Sequence, residues 1–320
     1  MNHRQRVSAV VRGQKPDRTP VAFSSHFPAG AAHGDASVEA HLAYFENSGI
    51  DICKVMNENQ LRGESTIEAP GDLSRETVCA QSKLGIQNQA ELIKKIADRL
   101  NGEAPVILTV HGPMVSVHHM SGRSGFFVDN LDFYRRCITE DPKALQRALE
   151  AATQSLCEMV VRCFEAGADG IYLAALGAQN GLFTDAEYNE IVRPFDLQVL
   201  EAAASPRCCN ILHLCAGDLA VHRFADYPVD IVNWEFGGKN PTLAEGFALF
   251  GEEKTIMGGL NNHCGPLISG TPAQIEREVH DILTQAEGRR FILGAGCTLP
   301  TDCDLANLRA AVRACETFGR

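Results

Sequence analysis

Short apolar runs recur along the chain, and between them lie longer stretches whose apolar residues fall at helical spacing. The runs Val21-Ala22-Phe23, Ile50 to Met56, Pro105 to Val110, Ile171 to Ala175, Asn210 to Leu214, Asp230 to Glu235, Thr255 to Leu260 and Arg290 to Gly296 read as strands. Helices are expected over residues 1–12, 37–47, 88–100, 141–164, 218–226, 242–250, 271–286 and 304–317, with another starting at the Thr184 and Glu187 capping box. Asp141-Pro142 pairs an N-cap with a proline at the first helical position. Residues 60–85 lack clear periodicity and read as an excursion that could act as a lid, and residues 114–129 as short glycine-containing turns. Strands alternating with helices imply a parallel sheet with crossover helices. Eight such units predict a (β/α)8 TIM barrel forming one domain over residues 1–320, with an open doubly wound sheet as the alternative.

In such barrels the active site lies at the C-terminal ends of the strands. His26, Asn57, Glu58, His111, Gln179, Asn180, His213, Cys215, Glu235, Asn261 and Cys297 all fall at or just beyond predicted strand ends. Side chains alternate along a strand, so His213 and Cys215 point the same way at the end of the fifth run, and Cys297 follows the eighth. Imidazole and two thiolates suit Zn2+, and three protein ligands leave a position for exchange. The competing reading is three packed interior residues, because free cysteine is among the most buried residue types. Cys208 and Cys209 start the fifth run, more than about 15 Å from Cys215 along an extended strand, and belong to the opposite face. Cys303 is a less well placed rival to Cys297, and Asn262-His263-Cys264 reads as surface loop. Glu58, Glu235 and His111 are the candidate proton-moving residues. His26, Asn57, Gln179, Asn180 and Asn261 are the candidate substrate contacts.

Composition narrows the partners. The net charge of -11 and scattered basic residues argue against nucleic acid and against a strongly anionic substrate. Nothing resembles a membrane span or a signal peptide, so the cytoplasm is the expected compartment, with the 12 cysteines reduced. Gly122-Arg123-Ser124-Gly125 and Gly258-Gly259 lack the full phosphate-cradling spacing.

Arg4-Gln5-Arg6-Val7, the stretch Gly13 to Val21, Gly167-Ala168-Asp169-Gly170, His213-Leu214-Cys215-Ala216-Gly217, Met257-Gly258-Gly259-Leu260 and Gly294-Ala295-Gly296-Cys297 together resemble the uroporphyrinogen decarboxylase superfamily. The His-x-Cys and distant Gly-Cys are similar to its cobalamin-dependent branch, the methylcobamide:coenzyme M methyltransferases, which use a His-Cys-Cys zinc site. The resemblance implies the barrel, zinc held by His213, Cys215 and Cys297, and methyl transfer between a corrinoid and a small thiol or a methylated ether, amine or thioether. The chain shows no corrinoid-binding Asp-x-His-x-x-Gly motif, so the corrinoid (cobalamin) is expected on a separate partner protein. True decarboxylases carry an Arg-Gln-Ala-Gly-Arg stretch after the first strand, and here residues 23–30 read Phe-Ser-Ser-His-Phe-Pro-Ala-Gly. A substrate with eight carboxylates needs a cationic floor. A metal-free decarboxylase and a non-catalytic zinc-binding protein remain the alternatives, and a homodimeric state is left open.

Overall fold

The computed structural model describes residues 1–64, 66–75, 77–204 and 209–319. Eight strands, β1 (Val21–Ala22), β2 (Cys53–Val55), β3 (Val106–His111), β4 (Gly170–Ala175), β5 (Ile211–Leu214), β6 (Ile231–Trp234), β7 (Thr255–Leu260) and β8 (Phe291–Ala295), form one parallel sheet. The sheet order β1-β8-β7-β6-β5-β4-β3-β2 brings both ends of the chain's strand series around to each other. The seam between β1 and β2 is bridged by the Asp51 N–H, which donates to the Val21 carbonyl at 2.7 Å. This is the expected (β/α)8 barrel.

Twelve helices surround or close it among the described residues: α1 (His3–Val11), α2 (Gly34–Ser48), α3 (Ala80–Leu100), α4 (Pro113–Met120), α5 (Leu131–Glu140), α6 (Pro142–Glu165), α7 (Asp185–Ile191), α8 (Arg193–Ala202), α9 (Leu243–Phe250), α10 (Pro266–Ser269), α11 (Pro272–Gln285) and α12 (Leu305–Phe318). Period-two alternation divides the apolar residues into two layers. Ile52, Ile107, Tyr172, Ile211, Ile231, Met257 and Ile292 fill the barrel interior, and Val7 and Val10 of α1 plug it from below. The residues alternating with them, such as Val55, Leu108, Leu173, Leu212, Val232 and Leu293, join the larger core under the helices.

The lower end is locked by charge. Asp51 is fully buried and accepts from Arg6 Nη1 at 2.6 Å, Arg18 Nη1 at 2.7 Å, His3 Nδ1 at 2.9 Å and the Val21 N–H at 2.8 Å. These partners keep its carboxyl below the usual range although burial alone pushes it up.

Several elements depart from the sequence expectation. Helix α3 starts at Ala80, well before residue 88: burial of Ser82, Gly85, Ile86 and Gln89 overrides the low helix propensity of Gly85, where a Cβ would come within 3.1 Å of Asn59 Cβ. Residues 113–120 form a helix where turns were expected. Pro113 starts it after Gly112, and burial of Met114, Val117 and Met120 overrides the weak propensity of its valines and histidines. The stretch after β5 has a 3-10 turn, Val221–Phe224, in place of a longer helix. Within the expected excursion over 60–85, the described residues Ile67 and Leu73 are buried, and the Ile67 N–H donates to the Ser121 carbonyl at 3.0 Å. Cys209 joins the interior layer with Val7 and Val10, far below the strand ends, whereas Cys208 lies outside the described residues.

Candidate metal centre and active site

Strand register builds the site. His213 of β5 pairs with Ala174 of β4 on one side and Asn233 of β6 on the other, and Ala174 pairs in turn with His111 of β3. His213 therefore points inward near the upper rim, at 2% exposure. Just beyond the strand, Ala216 and Asp218 take left-handed φ angles of 77° and 57°, rare for residues with a Cβ. This tight bend presents the Cys215 thiol to the barrel axis side of the loop. Cys297 arrives from β8 through Gly296, where any Cβ would fall 2.7 Å from Glu235 Cα. Only glycine lets the two strand ends approach so closely.

The ligand atoms of His213, Cys215 and Cys297 all lie within 4.8 Å of one another, and Cys297 Sγ is 3.4 Å from His213 Nε2. A tetrahedral zinc with ordinary bond lengths would set sulfur–nitrogen and sulfur–sulfur separations of about 3.6 Å and about 3.8 Å. The trio needs little adjustment to meet that geometry. Hydrogen bonding to Cys215 and the facing imidazole favour loss of the Cys297 proton, while Cys215 correspondingly holds its own more tightly.

The tautomer of His213 follows from its neighbour. Asn233 Nδ2 donates to the carbonyls of Met257 at 2.9 Å and Ala295 at 3.1 Å, which fixes its amide and leaves Oδ1 as the acceptor. That oxygen receives Tyr172 Oη at 3.1 Å and His213 Nδ1 at 2.7 Å. Nδ1 is thus the protonated nitrogen, and the Nε2 lone pair faces the two thiols.

Beneath the trio is a cavity of about 20 Å³, water-sized, lined by Ser24, Lys54, Tyr172, Asn233 and Cys297 among others. Lys54 stands inside the barrel with its Nζ 4.0 Å from the Tyr172 ring centroid, and Tyr172 stacks on His213 at 5.1 Å. Burial lowers the Lys54 ammonium to about 8, against the opposing pull of Cys297, Cys215 and Glu58. A larger cavity of about 460 Å³ opens beside the trio and is lined by Cys215, Ala216, Arg62, His119, Phe126 and Leu176 among others.

The remaining sequence candidates separate. Glu58 Oε1 accepts from His26 Nδ1 at 2.6 Å, and this bond holds its carboxyl below the usual range. His111 is neutral: burial, reinforced by Lys54, lowers it to about 4. Its ring meets that of His119 edge-on at 5.2 Å, and His119 Nδ1 is buried with no hydrogen-bond partner among the described residues. Glu235 Oε1 accepts from Asn261 Nδ2 at 3.3 Å.

Four of the expected substrate contacts are instead committed to the scaffold. Asn57 is buried, its Oδ1 taken by the Asn59 N–H and its Nδ2 turned to Met159 Sδ. Gln179 holds the Gly177 N–H and the Cys215 carbonyl, so it braces the bend that carries Cys215. Asn180 pairs with Asp218, and Asn261 Oδ1 caps the turn at His263 and Cys264. Cys303 turns toward the Leu267 carbonyl at 3.9 Å and Cys264 is exposed, so neither joins the trio. Asn233, Tyr172 and Lys54 were missed by the sequence reading, although a lysine in Ile52-Cys53-Lys54-Val55 and an asparagine in Ile231-Val232-Asn233-Trp234 are polar interruptions of apolar strands.

Residues 44–318 match the family described as uroporphyrinogen decarboxylase (URO-D). A uroporphyrinogen decarboxylase of Prochlorococcus marinus (strain MIT 9211) is 23% identical over 293 residues, 89% of this chain and 78% of the relative. A methylated-thiol–coenzyme M methyltransferase of Methanosarcina mazei is 24% identical over 307 residues, again 89% and 78%. In fold, the chain is similar to a solved methyltransferase from Methanosarcina mazei, with a TM-score of 0.80 at 19% identity and 99% coverage of both chains.

Proposed function

Because the chain belongs to the uroporphyrinogen decarboxylase family, we propose that it is a zinc-dependent methyltransferase of that family. It moves a methyl group between a corrinoid carried by a partner protein and a small thiol or a methylated small-molecule donor. The observation that carries this reading is the convergence of His213 Nε2, Cys215 Sγ and Cys297 Sγ at the barrel mouth, with the imidazole tautomer already set by Asn233. Zinc held there would supply Lewis acidity, lowering the pKa of a thiol or withdrawing charge from a methylated heteroatom.

The chain's own residues do the rest. Asn233 and Tyr172 orient His213, Gln179 braces Cys215, and Gly296 lets Cys297 reach the pair. The cavity of about 460 Å³ next to Cys215 accommodates a small organic substrate. Glu58 accepts from His26 Nδ1, so His26 Nε2 is the atom available to take a thiol proton at the mouth. The family also contains decarboxylases, but the larger cavity offers two guanidiniums, Arg62 and Arg123, where a substrate with eight carboxylates needs more.

The test is methyl transfer with free methylcobalamin as donor and a panel of small thiols, and with cob(I)alamin as acceptor and a panel of methyl ethers, amines and thioethers, followed by the corrinoid absorption spectrum. Transfer with at least one panel, lost in Cys297→Ser, supports the reading. Its absence from both panels in zinc-loaded protein supplied with a verified corrinoid partner protein would overturn it.

A further inference from the structure

Two thiols that share one metal position face each other directly when the metal is away. The sulfurs of Cys215 and Cys297 belong to a group whose ligand atoms all lie within 4.8 Å of one another, and the two thiols are hydrogen-bonded together. Among the described residues this is the one place where two thiols and an imidazole meet. Both cysteines are part-buried, and Cys215 also lines the open cavity of about 460 Å³, which admits a small solute to the pair. By contrast Cys79 contacts Ser82 Oγ at 3.4 Å, Cys303 faces the Leu267 carbonyl and Cys264 is exposed on the loop after β7.

The surroundings make Cys297 the attacking sulfur. His213 Nε2 stands 3.4 Å from Cys297 Sγ, and Asn233 Oδ1 holds the opposite ring nitrogen at 2.7 Å. A thiol that faces the free lone pair of an oriented imidazole is an activated nucleophile. Zinc bound at the trio would occupy that lone pair and both sulfurs, so metal and oxidant compete for the same three atoms. On the other side, Gln179 Nε2 holds the Cys215 carbonyl at 3.1 Å and Asn240 Nδ2 holds the Ala216 carbonyl at 3.4 Å. Those bonds fix the backbone of the bend and leave the Cys215 thiol to rotate toward its partner, where a disulfide sets a sulfur–sulfur length of about 2 Å.

We infer that Cys215 and Cys297 form a reversible redox pair: in the metal-free chain hydrogen peroxide closes them into an intramolecular disulfide, which blocks metal loading until a dithiol reopens it. The inference rests on the zinc reading above and adds the regulation of that site. The Cys297 sulfur attacks one peroxide oxygen, the oxygen–oxygen bond breaks, and the thiol proton leaves through His213 with the departing hydroxide as water. The Cys215 sulfur then displaces hydroxide from the resulting sulfenic acid, and its own proton completes a second water. Two thiols lose two electrons, and one hydrogen peroxide becomes two waters.

The experiment uses the full chain in zinc-loaded and chelator-treated forms, with hydrogen peroxide as oxidant and dithiothreitol as reductant. Peptide mapping under non-reducing conditions locates the cross-link, and zinc uptake is read by competition with a chromophoric chelator. The metal-free chain is expected to yield a linked Cys215–Cys297 peptide, to lose zinc affinity at least about tenfold, and to regain it with dithiothreitol, because ligation needs both thiolates. The zinc-loaded chain should form the same link at least about tenfold more slowly. Cys79→Ser and Cys264→Ser should behave as wild type, and Cys215→Ser should leave Cys297 as a sulfenic acid that dimedone captures. A chain that binds zinc normally, yet after metal removal and peroxide treatment shows no link between Cys215 and Cys297, would overturn the inference and leave the zinc reading standing. Equal rates of linking with and without zinc would overturn it too. An untreated chain that takes up no zinc at this trio would overturn the zinc reading, and the control of metal loading with it.

Discussion

Asn233 Oδ1 lies 2.7 Å from His213 Nδ1, and the register of β5 against β6 makes the two residues direct neighbours. The asparagine amide is itself fixed by two carbonyls, so the direction of this bond is determined and the His213 Nε2 lone pair is left facing the Cys297 thiol. Replacing Asn233 by leucine removes the acceptor for both His213 and Tyr172. Zinc affinity is expected to fall about 10- to 100-fold, the usual effect of losing a partner behind a metal-ligating histidine. Competition against a chromophoric chelator measures it, and an unchanged affinity in the folded variant would show that the bond does not tune the site.

Gly296 tests the approach of β8 to β6. Alanine there would place its Cβ 2.7 Å from Glu235 Cα, closer than real Cβ contacts. The strand ends must part, and Cys297 moves with them. Gly296→Ala is expected to weaken zinc binding and to lose about 1–3 kcal/mol of stability by overpacking. Urea unfolding with and without chelator separates the two effects.

At the opposite end of the barrel, Asp51→Ala would leave the Arg6 and Arg18 guanidiniums and the Val21 N–H without their buried acceptor. Removing one partner of a buried ion pair costs about 3–5 kcal/mol. Denaturant midpoints should fall accordingly while metal content stays at the wild-type level. The folded Asp51 pKa is depressed, so its contribution is present above the unfolded carboxyl pKa and is lost as pH falls through the folded one.

Asp196 has the opposite sign. Burial raises its carboxyl to about 6, even though its Oδ2 accepts from Tyr188 Oη and Tyr227 Oη, both at 2.9 Å. The unfolded chain ionises this group near about 4 while the folded chain retains the proton, so stability from this site falls as pH rises from about 4 to about 6. Asn keeps an acceptor for both tyrosines without the charge. The stability difference between Asp196→Asn and wild type should therefore grow in favour of the variant across that window in a series of thermal melts. A difference that stays flat with pH would contradict the raised pKa.

The barrel was legible because strands buried on both faces read as short apolar runs and helices with capped starts leave regular marks, and the eight runs map onto the eight strands. What escaped was set by tertiary contact. Helix α4 forms because its apolar residues find a core, and α3 runs through Gly85 because Ser82, Gly85 and Ile86 are buried there. At the site, the clustering of His213, Cys215 and Cys297 was legible because all three fall at strand ends, where barrels gather their side chains. The roles of Asn57, Gln179 and Asn180 were not, since an amide at a strand end looks the same in sequence whether it faces the mouth or braces a bend. Asn233 carried a signal that its position inside an apolar strand offered and that strand-end reasoning passed over.

Zinc content is the most direct test of the central claim. Metal analysis of the purified chain is expected to give about one zinc per chain, consistent with a single three-ligand site, with loss of that metal in both His213→Ala and Cys297→Ser and retention in Cys303→Ser. A metal-free chain that still transfers methyl groups, or variants at His213 and Cys297 that keep their zinc, would contradict it.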